Sequence, residues 1–196
     1  MSRASRSRLL WLEAALVVLG LTCLTWYGWV TAQLHSFQSE QRLELEHLGS
    51  AVPAEKSAPL QAPGPATLIG TLDIARLNLS VVVVEGDDDE TLKLAVGHLP
   101  DTPLPWQQGN SAMAAHRDTL FRPLKDVRLG DEIRLATPHG DLLYRVARTL
   151  VVDPHDVSVL EPSAQPTLTL ITCFPFFYVG HAPQRFIVQA TQVASN

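Results

Sequence analysis

An all-β fold, an antiparallel sheet closed into a barrel behind an N-terminal membrane helix, is predicted by three features of this sequence. They are short β-rich apolar runs separated by turns, a scarcity of helical stripes after Thr67, and one long apolar stretch near the N-terminus. The runs are Leu68 to Ile74, Leu79 to Glu85, Ser111 to His116, Glu132 to Thr137, Leu142 to Val152, Thr167 to Cys173 and Arg185 to Val193. With turns such as Pro138-His139-Gly140-Asp141 between them, they predict seven or eight strands. So many short strands with so little helix favour a closed barrel. One helix is predicted at Asp89 to Val96, where acidic residues precede Leu92, Leu94 and Ala95, and a short one at Thr119 to Lys125.

The membrane helix is read from Leu9 to Val30, an almost unbroken apolar run interrupted only by Glu13. Crossing a bilayer takes about 20 residues. Arg3, Arg6 and Arg8 precede the run with no acidic residue among them, which predicts a cytoplasmic N-terminus at 1–8 and a C-terminal domain outside the cytoplasm. Trp26, Tyr27 and Trp29 suit the outer interface. A cleaved signal peptide fits less well, because its apolar core is shorter and is followed by small residues at the cut. A lipid-modified Cys23 fits less well again, since bulky Leu21 and Thr22 precede it. Leu34, Phe37, Gln41, Leu45 and Leu48 recur at helical spacing, so the helix is expected to continue outward as a stalk and to end at Gly49-Ser50. Pro53, Pro59, Pro63 and Pro65 among Ala, Ser and Gln then give an extended linker to Ala66. The division is therefore a transmembrane segment at 9–30, stalk and linker at 31–66, and one globular domain at 67–196.

Composition narrows the function. A formal net charge of −5 and 46% hydrophobic residues leave no basic face for a polyanion, so nucleic acid is not an expected partner. The only two cysteines, Cys23 and Cys173, lie in the apolar segment and near the end of the globular domain, and are not expected to pair. That leaves Cys173 a free thiol.

Three residues stand at strand ends: His116, Cys173 and Arg185. If the last two strands form an antiparallel hairpin, Cys173 and Arg185 can face each other across the ladder, with the loop Phe174 to Gln184 arching above; a one-residue slip in register would reverse this. A thiol acts as nucleophile in its thiolate form, which a neighbouring cation favours. Histidine exchanges protons near neutral pH. Arginine, always charged, suits an oxyanion or a peptide carbonyl. Taken singly, each residue is explained as well by packing or by a solvated strand edge.

Taken together they resemble the sortases. The resemblance is carried by Gly109-Asn110-Ser111-Ala112-Met113-Ala114-Ala115-His116-Arg117-Asp118, by Phe121-Arg122-Pro123-Leu124, by Gly130-Asp131, and by Thr169-Leu170-Ile171-Thr172-Cys173 followed by Arg185. It covers Leu68 to Val193, and the ending Phe174 to Arg185 is most similar to class D sortases and the related group from Gram-negative bacteria. Ala115 departs from the glycine that commonly precedes the catalytic histidine. The resemblance implies an eight-stranded sortase-type barrel and a cysteine transpeptidase, with His116 as acid and base, Cys173 as nucleophile and Arg185 as oxyanion or substrate stabiliser. It implies no cofactor and no metal for the chemistry. The implied partners are an exported protein with a C-terminal sorting signal of the Leu-Pro-x-Thr-Gly kind and an amine acceptor of the cell envelope, met at the membrane. A thiol hydrolase on the same barrel, or an inactive barrel binding extended peptides by strand pairing, remain the alternatives.

Other features carry simpler readings. Asp87-Asp88-Asp89-Glu90 is read as helix N-terminal charge rather than a calcium loop. Asp118 is read as the cap of the short helix that follows rather than a partner orienting His116. His181 lacks clustered metal ligands, and His98 and His139 are read as surface or turn residues. Leu99-Pro100-Asp101-Thr102-Pro103 matches a sorting motif by chance, because the scissile bond would lead to a proline nitrogen.

Overall fold

A computed structural model describes residues 3–51, 64, 66–178 and 180–193 of the chain. Most of the Pro-rich linker, including Pro53, Pro59, Pro63 and Pro65, lies outside the described residues. The chain divides into two compact units, 1–37 and 38–196. The first is formed by helix α1 (Arg3–Ala51), which continues into the second. In α1 the segment Trp11–Ser39 has a mean hydropathy of 1.5, long and apolar enough to cross a membrane. Its large side chains, Trp11, Leu16, Leu24, Trp26 and Trp29 among them, are exposed along the helix.

The second unit is a closed barrel of eight strands: β1 (Leu68–Ile74), β2 (Leu79–Glu85), β3 (Val96–His98), β4 (Asn110–Ala114), β5 (Glu132–Thr137), β6 (Gly140–Val152), β7 (Thr167–Phe174) and β8 (Gln184–Gln192). Around the barrel the order is β1-β2-β3-β4-β7-β8-β6-β5. Alternation along the strands fills the interior with Leu72, Leu135, Val146, Leu168, Leu170 and Val188, all buried. At the β5–β6 hairpin, Gly140 takes φ +111, a conformation that side chains disfavour, to close the predicted turn at Pro138.

The structure corrects several expectations. The sheet is not purely antiparallel: β2 and β3 run parallel, as do β4 and β7. Strand β3 was not expected at all. Helix α2 (Asp89–Leu94) stops two residues short of the predicted Val96, and the chain turns at once into β3. A strand of three residues is too short to show alternation, and its middle residue is Gly97. A Cβ at Gly97 would stand 2.1 Å from Gly86 O, so only glycine lets β3 lie this close. In place of the short helix at Thr119 to Lys125, a 3-10 turn spans Arg122–Asp126, with Pro123 in its first turn. Phe121 stands at its cap with no side-chain cap bond, so Asp118 does not cap it. Asp88 does cap α2, its carboxylate accepting from the Glu90 and Thr91 amides.

A further correction concerns His98, which is 1% exposed. Its Nδ1 lies 2.7 Å from the buried Glu85 carboxylate and its Nε2 3.1 Å from Pro103 O, so both ring nitrogens are engaged. The Leu99–Pro103 segment beside it is drawn into a turn, with the Thr102 hydroxyl donating to Leu99 O and accepting from the Ala112 amide. It is not an extended peptide.

Tyr144 of β6 is 1% exposed, its hydroxyl donating to Pro105 O. Burial pushes this phenol up from 10.0 to about 12. The folded chain therefore holds a proton that the unfolded chain releases, and this stabilisation is complete below about pH 10 and lost on approach to about pH 12. The effect is on the order of 2 kcal/mol. The denaturation midpoint of the wild type should fall across this window more steeply than that of Tyr144→Phe. Parallel pH profiles for the two proteins would contradict it.

Candidate active site

Parallel pairing of β4 with β7 is what builds the site. In a parallel ladder the C-terminal ends of both strands lie at the same end of the barrel, and here Ala114 is level with Ile171. Two residues further along each strand direction come His116 and Cys173. Strand β8 runs antiparallel to β7 in the register that sets Arg185 opposite Cys173. Three residues distant in sequence thus reach one rim.

Two hydrogen bonds fasten that rim. Ala115 N donates to Ile171 O at 3.2 Å, and the Thr172 hydroxyl, 2% exposed, donates to Ala115 O at 2.7 Å. The peptide just before His116 is therefore fixed to the residue just before Cys173. Ala115 itself is 5% exposed, and its methyl is packed.

A cavity of about 270 Å3 opens here, lined by His116, Arg117, Asp118, Cys173, Gly180, His181, Ala182 and Arg185. Cys173 is a free thiol at intermediate exposure. The Arg185 Nη1 donates to Gln184 O at 3.2 Å, which holds the guanidinium against the cavity wall. On the other side of Arg185, β6 ends at Val152 and Asp153 follows. The backbone amide and ring of His155, and to a smaller extent the Arg185 charge, hold the Asp153 carboxyl below the usual carboxylate range. Behind the rim, the Phe176 ring packs edge-on against Phe174 and Phe186, with centroids 6.1 and 5.3 Å away.

Sequence reasoning placed His116, Cys173 and Arg185 at strand ends, and the structure brings all three to one cavity. It missed Arg117. That guanidinium donates from Nη2 to Tyr178 O at 2.8 Å and Gly180 O at 3.2 Å, and lies 5.8 Å from the centroid of the Tyr178 ring. It ties the β7–β8 loop to the segment carrying His116. Arg117 stands beside His116 in the sortase-like string, and neither the string nor the adjacency reveals a loop tether. Asp118, displaced from its expected cap, lines the cavity instead. Among the described residues no cluster of three or more potential metal ligands occurs.

Comparison with known proteins gives this geometry its family. Residues 72–193 match the profile of the sortase domain. The chain is 33% identical to Sortase D of Bacillus subtilis over 168 residues, 80% of this chain and 85% of that protein. It belongs to the sortase family. Among solved structures, the Sortase D5 transpeptidase of Clostridium perfringens superposes with a TM-score of 0.65 at 23% identity, covering 83% of this chain and 99% of that one. Sortase A of Corynebacterium diphtheriae gives 0.63 at 24% identity over 84% and 86%. The barrel is thus a sortase fold and the chain a sortase-type cysteine transpeptidase, and the likeness to Sortase D supports class D. Sortases as a family act at the cell surface on proteins with sorting signals and on amine acceptors, and the apolar helix of this sortase suits attachment to a membrane.

Proposed function

We propose that this sortase cleaves a C-terminal sorting signal of the Leu-Pro-x-Thr-Gly kind at Cys173 and transfers the acyl group to an amine of the cell envelope. The reading is carried by the convergence of His116, Cys173 and Arg185 on one cavity at the rim of the barrel. In the first half-reaction His116 takes the thiol proton and the Cys173 sulfur attacks the scissile carbonyl carbon. The C–S bond forms, the oxyanion rests against Arg185, and the C–N bond breaks as imidazolium gives its proton to the departing amine. A thioester remains. In the second half the acceptor amine attacks the thioester carbon, His116 takes its proton, a new C–N bond forms and the thiolate leaves. The chain is organised for this with 9–30 as a single membrane anchor, 31–66 as stalk and linker, and 67–196 as the catalytic domain outside the cytoplasm. Partners held at the same membrane would then reach the cavity without diffusing away.

The test is incubation of the chain with Leu-Pro-x-Thr-Gly peptides, with and without an amine, followed by mass spectrometry. A peptide–amine conjugate is expected. Cleavage that yields only free acid at every amine concentration would replace transfer by hydrolysis. In the same assay Thr172→Val, which keeps shape but strands Ala115 O, should lower kcat roughly tenfold by loosening the His116 segment. Unaltered turnover would remove that hydrogen bond from the mechanism, and Thr172→Ser should recover most of the loss.

A further inference from the structure

The Thr-Leu-Ile-Thr-Cys segment contains two threonines, and the first is not used by the rim. Thr169 is fully buried on the outer face of β7, four residues before Cys173. Beside it on the same outer face of the sheet are Asn110 of β4, 2% exposed, and Gln189 of β8, 7% exposed and paired with Thr169 in the ladder. The Thr169 hydroxyl donates to Asn110 Oδ1 at 2.6 Å and accepts from Gln189 Nε2 at 3.2 Å. Asn110 Nδ2 donates to Val159 O at 2.9 Å and to Glu161 O at 3.2 Å, while Gln189 Nε2 donates also to Val159 O at 3.0 Å. Arg148 Nε donates to Gln189 Oε1 at 2.6 Å. Each side-chain amide thus uses both of its N–H donors, and turning either amide over would set oxygen against oxygen. A bulge at Ala147 makes the last bond available. It lets Val146 remain in the core while Arg148 reaches the outer face.

Asn110 and Gln189 hold one object, the connection between β6 and β7 at 153–166, and Thr169 locks the two amides to each other. That connection leaves β6 at Val152, which is paired with Arg185, crosses the outer face and enters β7 at Thr167. Its 3-10 turn Val157–Leu160 buries one side chain, Val159. A cavity of about 430 Å3 opens between its residues 158–164 and Arg148 and Thr191. Apolar packing therefore does little to place the connection, and the buried amides do most of it.

We propose that Asn110, Thr169 and Gln189 are positioning residues for the sorting peptide, acting by holding the β6–β7 connection as the wall of the groove that leads to Cys173. This rests on the reading of the site given above. Along β7, Thr169 lies about 13 Å from Cys173 at roughly 3.3 Å per residue, the reach of four extended peptide residues. The wall so held meets the peptide over about four positions before the scissile bond. It sets how the peptide is seated and takes no part in the chemistry.

The experiment compares wild type with Thr169→Val, Thr169→Ser and Gln189→Met. It measures kcat and KM for Leu-Pro-x-Thr-Gly peptides, the rate of Cys173 alkylation by iodoacetamide, and hydrogen exchange of the amides at 157–161. Thr169→Val and Gln189→Met should raise KM about tenfold, with kcat changed less than about twofold. Exchange at 157–161 should quicken, the alkylation rate should hold, and Thr169→Ser should restore KM. Faster exchange with unchanged KM overturns the inference, as does a fall in kcat and alkylation that keeps step with KM. A wild type that cleaves no peptide sinks the reading of the site itself. Exchange unchanged in an active Gln189→Met enzyme sinks the latch alone.

Discussion

Cys173→Ala is expected to abolish peptide cleavage, with a loss of at least about four orders of magnitude in kcat, the scale seen when a covalent nucleophile is removed. The fold should survive the change. Cys173 is only partly buried, and its place in the sheet is held by backbone pairing with Arg185 and by its neighbours Thr172 and Phe174. No other cysteine of the globular domain can substitute, since Cys23 belongs to the apolar helix. Circular dichroism and the melting temperature check the fold, and chromatography of the peptide checks the activity. A Cys173→Ala protein that melts like the wild type and still cleaves would remove the thiol from the reaction.

Arg185→Ala is expected to lower kcat by about two to three orders of magnitude, the range for losing a donor to a developing oxyanion. KM should change less, because the charge on the oxygen matters most in the transition state. Arg185→Lys should recover only part of the rate, since an ammonium lacks the planar fork that Arg185 presents at the cavity wall. The Arg185 guanidinium bonds backbone carbonyls of its own loop and is not part of the core, so melting should shift little. If Arg185→Ala keeps wild-type turnover, the oxyanion is stabilised elsewhere on the rim.

Much of the barrel was legible because most of its strands are long enough to show alternation. The runs over β1, β2, β5, β7 and β8 coincide with the observed strands to within a residue, and those over β4 and β6 to within two. Strand β3 was hidden by its length and its glycine. Parallel pairing of β4 with β7 was hidden for another reason. The partners are separated by the whole stretch from Ala115 to Pro166, and nothing local in either strand specifies the direction of its neighbour. This is consequential, because parallel pairing is what brings His116 level with Cys173. The approach of Cys173 to Arg185 was more accessible, as a hairpin needs only an antiparallel return and a register. His98 was misread because a histidine that ends a three-residue strand before a proline-rich turn carries no mark of burial. Its partner Glu85 is distant in sequence, and only the parallel β2–β3 pair brings the two together. Asn110, Thr169 and Gln189 escaped notice likewise: each is an ordinary strand residue until the connection at 153–166 folds over them.

The most direct measurement is the intact mass of the chain during turnover, taken after rapid acid quenching with a Leu-Pro-x-Thr-Gly peptide and no added amine. The expected result is a mass increase equal to the acyl fragment. It should map to the peptide containing Cys173, be cleaved by hydroxylamine as thioesters are, and disappear when an amine is supplied. Efficient turnover with no adduct on Cys173 under any quench, or an adduct carried by another residue, would contradict it.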